Sequence, residues 1–297
     1  MRLFPDIFTR RILLPIQVAI MWLLFCTAAH SASPDTQADV GYMFDDNVTR
    51  SQEGGSKLTD QSLSINLSQP FIFPISDHTR ALLTGTLGVE KFLRHDGLSR
   101  LSGGIQGELQ YRSSAEFGTP VLALFAKLSA DEYQSDQRDG FRYSASISLR
   151  KTVTDRIRIF GAVAHSERQG NNAVFDNKDD SARISLDYDL KTSGTLYLGG
   201  EYRQGDMVIS APLWNVYGSD YTPDDVFWDR WLYNYRLNGT TVLYKLGYNF
   251  ALGPRSSIDF SWNRAQSTTS YVALPSWNKT SVSYTSNQYA LAYLVRF

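Results

Sequence analysis

The chain has 297 residues with 29 basic and 30 acidic side chains, a net charge of −1. It therefore lacks the clustered positive charge with which proteins hold nucleic acids. Its single cysteine, Cys26, lies in an apolar N-terminal stretch, so the remainder of the chain has neither disulfides nor thiolate metal ligands. Mean hydropathy is −0.28, and no later apolar run approaches the ~20 residues of a membrane-spanning helix.

Residues 1–31 have the three regions of a secretory signal peptide. MRLFPDIFTRR carries three arginines, residues 12–29 carry no charge, and AHSAS supplies small residues for cleavage. We expect cleavage after Ser31, which leaves 32–297 as the mature domain. An uncleaved anchor is the alternative, because the apolar stretch is long for a signal.

Apolar and polar residues alternate along the mature chain. Ile184, Leu186, Tyr188 and Leu190, for example, are separated by Ser185, Asp187 and Asp189. Strict alternation is typical of a strand with one apolar and one polar face. Twelve such segments are predicted, at 38–45, 60–70, 79–92, 100–112, 121–133, 141–151, 156–167, 181–190, 195–205, 239–251, 256–266 and 283–297. Segments of this length predict an all-β fold, an up-and-down antiparallel transmembrane β-barrel of about twelve strands, with ten or fourteen as alternatives.

The connections between these segments fall into a long set and a short set. The long connections are 47–59, 169–180, 206–238 and 266–281, and the short ones are 113–120, 152–155, 191–194 and 252–255. Outer-membrane barrels have long outer loops and short periplasmic turns. This separation fits a chain whose two ends are both periplasmic, so that the connections after odd-numbered strands lie outside. The connection 94–97 is a short outer exception.

The chain ends YALAYLVRF, with large apolar side chains at every second position: Tyr289, Leu291, Tyr293, Val295 and Phe297. This segment resembles the C-terminal signature of Gram-negative outer-membrane β-barrel proteins. The resemblance implies an outer-membrane location, contact with lipid and lipopolysaccharide, and recognition by the barrel-assembly machinery. A second segment, GYMFDDNVTR at 41–50, is similar to the first strand of several outer-membrane families, including the barrels of surface lipoprotein assembly modifiers.

Strand parity predicts which charged residues face the inside of the barrel. Basic side chains facing mid-bilayer lipid would each cost ~2–4 kcal/mol. The predicted pore-lining residues are Glu90, Glu108, Lys127, Arg142, Arg150, Arg158, Arg183, Asp187, Glu201 and Lys245. Two hypotheses follow. An arginine wall opposite a glutamate wall would make a pore that favours small anionic solutes, or the charges pair and seal a structural or docking barrel.

Aromatic residues are concentrated in the connection 206–238. Trp214, Tyr217, Tyr221, Trp228 and Trp231 are candidates for solute recognition or a constriction. Alternatively, 206–211 and 228–238 extend the flanking strands. The acidic clusters Asp45–Asp46, Asp176–Asp180 and Asp224–Asp225 lack the spacing of a calcium loop. They are interpreted as solvated loop charge, and no metal or cofactor is expected.

One weak candidate for catalysis remains, the adjacent pair His165 and Ser166. Neighbouring residues on a strand point to opposite faces, so the two cannot form a nucleophile–base dyad without a bulge. No glycine-rich phosphate loop is present. A porin-like channel is therefore the leading hypothesis, and an outer-rim hydrolase the weakest one.

Overall fold

The computed structural model describes residues 36–52, 54, 56–191, 194–213, 216–217, 219–273 and 278–297, so the predicted signal peptide lies outside the described residues. Twelve long strands confirm the predicted fold. They are β1 (Gln37–Asp45), β2 (Asp60–Ser76), β3 (Thr79–Phe92), β4 (Arg100–Arg112), β5 (Val121–Tyr133), β6 (Gly140–Thr152), β7 (Ile157–Gly170), β8 (Asn177–Asp189), β9 (Thr195–Ala211), β12 (Tyr233–Gly253), β13 (Ser256–Ala273) and β14 (Asn278–Arg296). Between β9 and β12 lie two short strands, β10 (Val216–Tyr217) and β11 (Tyr221–Pro223).

The sheet closes on itself. Each long strand pairs antiparallel with its neighbours in chain order, and β1 pairs with β14 from Gln37↔Arg296 to Asp45↔Gln288. The backbone N–H of Phe297 donates to the carbonyl of Thr36 at 3.0 Å, so the last residue takes part in this seam. Closure removes the free edges that a sheet cannot leave unpaired in lipid.

The outer face of the barrel is an apolar band. Side chains such as Ile65, Leu128 and Ile184 have 55%, 57% and 62% of their surface exposed, and similar residues recur at alternate positions around the ring. So much exposed apolar surface is typical of an interaction with lipid. The inward positions of the same strands carry small and polar residues, among them the serines at 144, 146 and 148.

Several strands continue further outward than the sequence predicts. β9 reaches Ala211, β12 begins at Tyr233 and β13 reaches Ala273. The alternative in which the flanks of 206–238 extend the neighbouring strands is confirmed for 206–211 and 233–238, so the outer loop narrows to 212–232. The backbone ladder continues above the membrane with the same alternation, in which Ile209, Tyr235 and Leu237 are buried.

Four single-turn 3-10 helices occur in the outer connections, at Asp96–Leu98, Asp136–Arg138, Ala173–Phe175 and Trp228–Arg230. Within the part of the chain that the structure describes, no helix is long and apolar enough to cross a membrane.

Candidate functional site: the lumen and its outer mouth

The ten predicted pore-lining residues lie at inward positions of their strands. On β6, for example, Ile147 and Leu149 are exposed on the lipid side, which places Arg142 and Arg150 on the opposite face. The same parity holds for the rest of the set: Glu90, Glu108, Lys127, Arg158, Arg183, Asp187, Glu201 and Lys245.

Two arginines of β6 and β8 share one aromatic ring. The guanidinium carbons of Arg150 and Arg183 lie 5.9 and 5.1 Å from the centre of the Phe160 ring, which β7 places between them. Neither arginine has an ion-pair partner among the described residues. Stacking on an aromatic face holds a guanidinium in place and leaves its charge and its N–H donors available.

Three more luminal cations lack a carboxylate at ion-pair distance in the described part of the chain. Lys127 and Arg142 have no such partner, and Lys245 lies 5.2 Å from the centre of the Tyr197 ring. Arg158 is only loosely paired, at 3.9 Å from Asp187. The β5–β8 side of the lumen, together with β12, therefore presents several cationic groups to the interior.

Glu90 of the predicted glutamate wall is neutralised by an arginine, as is Glu201 of β9, whereas Glu108 is not. Arg100 binds Glu90 at 3.1 Å and approaches Asp131 to 3.7 Å. Arg203 binds Glu201 at 2.7 Å and lies 3.5 Å from Asp179. Glu90 and Arg100 are brought together by the pairing of β3 with β4, whereas Glu201 and Arg203 are successive inward residues of β9.

The carboxylates without a cationic partner are held by neutral donors. Asp39 accepts from the amide of Asn66 at 2.8 Å, Glu108 from Gln110 at 2.6 Å, and Asp259 from the Tyr197 hydroxyl at 2.8 Å. They lie on β1, β4 and β13, away from the Arg150–Arg183 pair. The β6–β8 wall of the lumen, whose carboxylates are Asp179, Asp187 and Asp189 of β8, thus carries an excess of positive charge.

The outer mouth is covered by a hairpin that rises above the barrel. The β8–β9 ladder ends at Gly205 and the β12–β13 ladder ends at Gly239, and these two glycines pair with each other. Beyond them β9 and β12 continue as a separate ladder, with β11 added along β12. We call the described residues 206–213 and 219–238 the outer flap.

The tip of the outer flap reaches the opposite side of the barrel. The ring of Phe227 meets that of His95 edge-on with 4.9 Å between centres, and Ser135 donates to Asp225 at 2.7 Å. His95 lies in the β3–β4 connection, and six strands separate it from the β9–β12 connection in either direction around the ring. The flap therefore spans the mouth along a diameter.

A buried carboxylate anchors this tip. Asp224 accepts from the Arg138 guanidinium at 3.1 Å, the Ser210 hydroxyl at 2.9 Å and the backbone N–H groups of Val226 and Phe227. The prediction that Asp224 is solvated is therefore wrong. The sequence shows only that Asp224 and Asp225 are adjacent. It does not indicate that the Arg138 guanidinium would contact Asp224.

A second connection crosses the mouth from β1. Ser210 of the flap donates its backbone N–H to the carbonyl of Thr49 at 2.9 Å, and the Ser51 hydroxyl donates to the carbonyl of Ser210. At the base of this connection Asp45 is buried and binds Arg50 at 2.7 Å, so it too was wrongly predicted to be solvated. Burial alone would lower the pKa of the Arg50 guanidinium, but the Asp45 carboxylate outweighs that cost and raises it.

A cavity of about 280 Å³ lies under the flap in the outer half of the lumen. Its lining is mainly polar and includes Arg50, Arg203, Thr241, Asn263, Ser286 and Gln288. Both arginines are ion-paired there. The cavity therefore offers hydrogen-bonding groups with little net charge, in contrast to the β6–β8 wall.

The predicted loop aromatics whose side chains the structure describes do not line this cavity. Trp228 and Trp231 are 73% and 83% exposed, and Tyr221 stacks on Tyr235 with 5.7 Å between ring centres. Trp214 and the side chain of Tyr217 lie outside the described residues. The residue that does pack beneath the tip is Phe227, which the sequence does not distinguish from its aromatic neighbours.

The candidate pair His165 and Ser166 occupies opposite faces of β7. His165 shares the outward parity of the lipid-exposed Val163, and its ring nitrogens lie 2.7 Å from Asp180 and 3.1 Å from Glu167. Lys178 completes this exposed network at 2.9 Å from Glu167. Across the described ranges, no group of three His, Cys, Asp or Glu side chains is arranged to hold a metal ion.

No protein-family model and no curated protein matches the sequence. Among solved structures, an outer membrane channel from Pseudomonas putida F1 is similar with a TM-score of 0.58 and 11% identity, over 90% of this chain and 97% of that one. The KdgM porin, solved with oligogalacturonate, matches with a TM-score of 0.44 and 10% identity over 88% of this chain and 99% of that one. The NanC porin matches with a TM-score of 0.46 and 8% identity over the same shares.

The chain has the fold of a Gram-negative outer-membrane β-barrel protein. At these identities the comparison concerns the fold alone, and the function has to be argued from the lumen.

Proposed function

We propose that the protein is a channel of the outer membrane for small hydrophilic solutes and that it favours anions. The observation that carries this proposal is the set of luminal cations without carboxylate partners: Lys127, Arg142, Arg150, Arg183 and Lys245. Burying charges without partners costs free energy, so a sealed structural barrel would gain from neutralising them. A water-filled pathway keeps them hydrated and gives them a role in attracting anions.

The position of the cations supports passage rather than a single tight site. Arg150, Arg183 and Lys245 are exposed within the lumen and come from three different strands. Rings of like charge that bind an ion weakly at several points allow it both to enter and to leave. The proposal assigns no catalytic role to His165, whose ring nitrogens already contact carboxylates.

A non-conducting structural or docking barrel is the second candidate, and one observation favours it. The outer flap and the connection 46–52 both cross the mouth and are held by buried contacts. In this case, the exposed Trp228 and Trp231 at the tip would serve a partner rather than a solute.

Solute flux into liposomes separates the two candidates. Glucose, gluconate and N-methylglucamine have similar size and differ in charge, so their rates of entry report selectivity for charge alone. We expect gluconate to enter fastest and N-methylglucamine slowest, with heat-denatured protein as the control. Equal rates of entry for all three solutes would show that the channel does not favour anions. No entry of any solute through protein shown to be folded would favour the sealed barrel.

A further inference from the structure

The outer flap has the construction of a movable element, with a hinge on one side of the mouth and a latch on the other. We propose that it is a gate, which swings about the Gly205–Gly239 pair and thereby opens and closes the outer end of the channel. This inference rests on the proposed channel function and concerns its regulation.

The hinge lies where both neighbouring ladders stop. Below Gly205 and Gly239 the strands β9 and β12 are held by β8 and β13, and above them they pair mainly with each other. Gly205 has φ +154°, in the region that favours glycine, and a Cβ there would collide with the backbone of β8. A Cβ at Gly239 would collide with the carbonyl of Thr268. Glycine at both positions lets the ladder bend where it leaves the barrel.

The main apolar cluster of the flap lies on its hinge side, and Phe227 packs separately at the tip. Ile209, Tyr235 and Leu237 pack with Val282 and Tyr284 of β14, within a few residues of the glycine pair. Groups close to an axis move little when the element rotates. Rotation must break the contacts of the tip at the far side of the mouth. It must also break the hydrogen bonds of Ser210 with Thr49 and Ser51 and the pairing of β10 with β13.

The latch at the tip is mainly polar and imperfect. Asp224 binds Arg138, and Phe227 packs on His95, but Arg138 Nε and Asn234 Nδ2 are buried without a hydrogen-bond partner within the described residues. A buried donor without a partner has a cost in free energy. Opening exposes both donors to water and recovers that cost, which offsets part of the loss of the Asp224–Arg138 pair. The closed state is thus stable without being irreversible.

A disulfide across the mouth tests the gate directly. A Cβ on Gly97 would lie 3.4 Å from Cβ of Val226, close to the spacing that a disulfide joins. The variant Gly97→Cys/Val226→Cys should form this disulfide, and no other cysteine of the described residues competes for pairing. We expect oxidation to lower the open fraction of single-channel recordings at least about tenfold and reduction to restore it. The two single-cysteine variants should not respond.

The outcomes distinguish the gate from the channel. A cross-linked protein that conducts like the reduced one would overturn the gate and leave the channel standing. If even the reduced protein is silent, the channel function fails, and cysteine accessibility then decides whether the flap covers the lumen. For that readout, Thr241→Cys in the cavity is labelled on whole cells with a membrane-impermeant maleimide.

We expect labelling of Thr241→Cys to be at least about tenfold faster when Asp224→Ala is added. Equal labelling with and without Asp224→Ala would show that the flap does not control access, whatever the currents are. Adding Asp229→Ala instead is the matched control, because Asp229 lies in the same tip and is exposed.

Discussion

Exchanging Arg150 and Arg183 for glutamate should remove the anion preference of the channel and favour cations. Reversing one charge changes the energy of a monovalent ion ~6 Å away by about 1.4 kcal/mol, even at the dielectric constant of water. That is roughly tenfold in relative occupancy for each reversal. Because the Debye length is about 10 Å at 0.1 M salt, screening removes only part of this effect. We expect the chloride-to-potassium permeability ratio to fall at least about tenfold in planar bilayers.

The same strand supplies a control for this exchange. Lys151 follows Arg150 on β6 and points to the outer face, so Lys151→Glu makes the same change in net charge as Arg150→Glu alone, but outside the lumen. We expect Lys151→Glu to leave the permeability ratio nearly unchanged and the neutral variants Arg150→Gln and Arg183→Gln to give intermediate values. Equal effects of Arg150→Glu and Lys151→Glu would show that selectivity does not arise at the luminal wall.

Replacing Asp224 with alanine should release the tip of the outer flap. The change leaves the Arg138 guanidinium buried without its carboxylate and removes the acceptor of two backbone N–H groups, at Val226 and Phe227. Breaking a buried ion pair from one side costs about 3–5 kcal/mol. At roughly tenfold per 1.4 kcal/mol, amide hydrogen exchange across 224–232 should become about two to three orders of magnitude faster.

The control for Asp224→Ala is again Asp229→Ala, since the Asp229–Arg230 pair is exposed and long at 3.7 Å. Exposed pairs of this kind contribute about 0–1 kcal/mol. We expect exchange in the barrel strands to be unaffected by either variant. If Asp224→Ala exchanged no faster than Asp229→Ala, the buried pair would not be what holds the tip down.

The barrel itself could be predicted from the sequence because lipid imposes a simple rule. Every second residue of a crossing strand faces hydrocarbon, so Leu63, Ile65, Ile147 and Leu149 mark their strands without knowledge of any neighbour. The same alternation predicts that Arg150 and Arg183 face the lumen. The closure of β1 on β14 was indicated by the apolar pattern that runs to Phe297.

The mouth could not be predicted because its contacts join residues that are distant in the chain. Arg138 and Asp224, or His95 and Phe227, are brought together by the curvature of the closed ring and by the extension of β9 and β12 beyond the neighbouring ladders. The sequence does not decide whether 206–211 and 228–238 extend β9 and β12 or belong to the loop, because aromatic residues occur throughout 206–238. The neutralisation of Glu90 by Arg100 likewise depends on the pairing of β3 with β4.

The central claim is that unpaired cations in the lumen select anions for passage, and the zero-current potential of the unaltered protein tests it most directly. The purified, folded protein is placed in a planar bilayer between potassium chloride solutions of different concentration. The account expects discrete channel steps whose zero-current potential has the sign set by chloride. A potential with the sign set by potassium, in channels of the same protein, would contradict it.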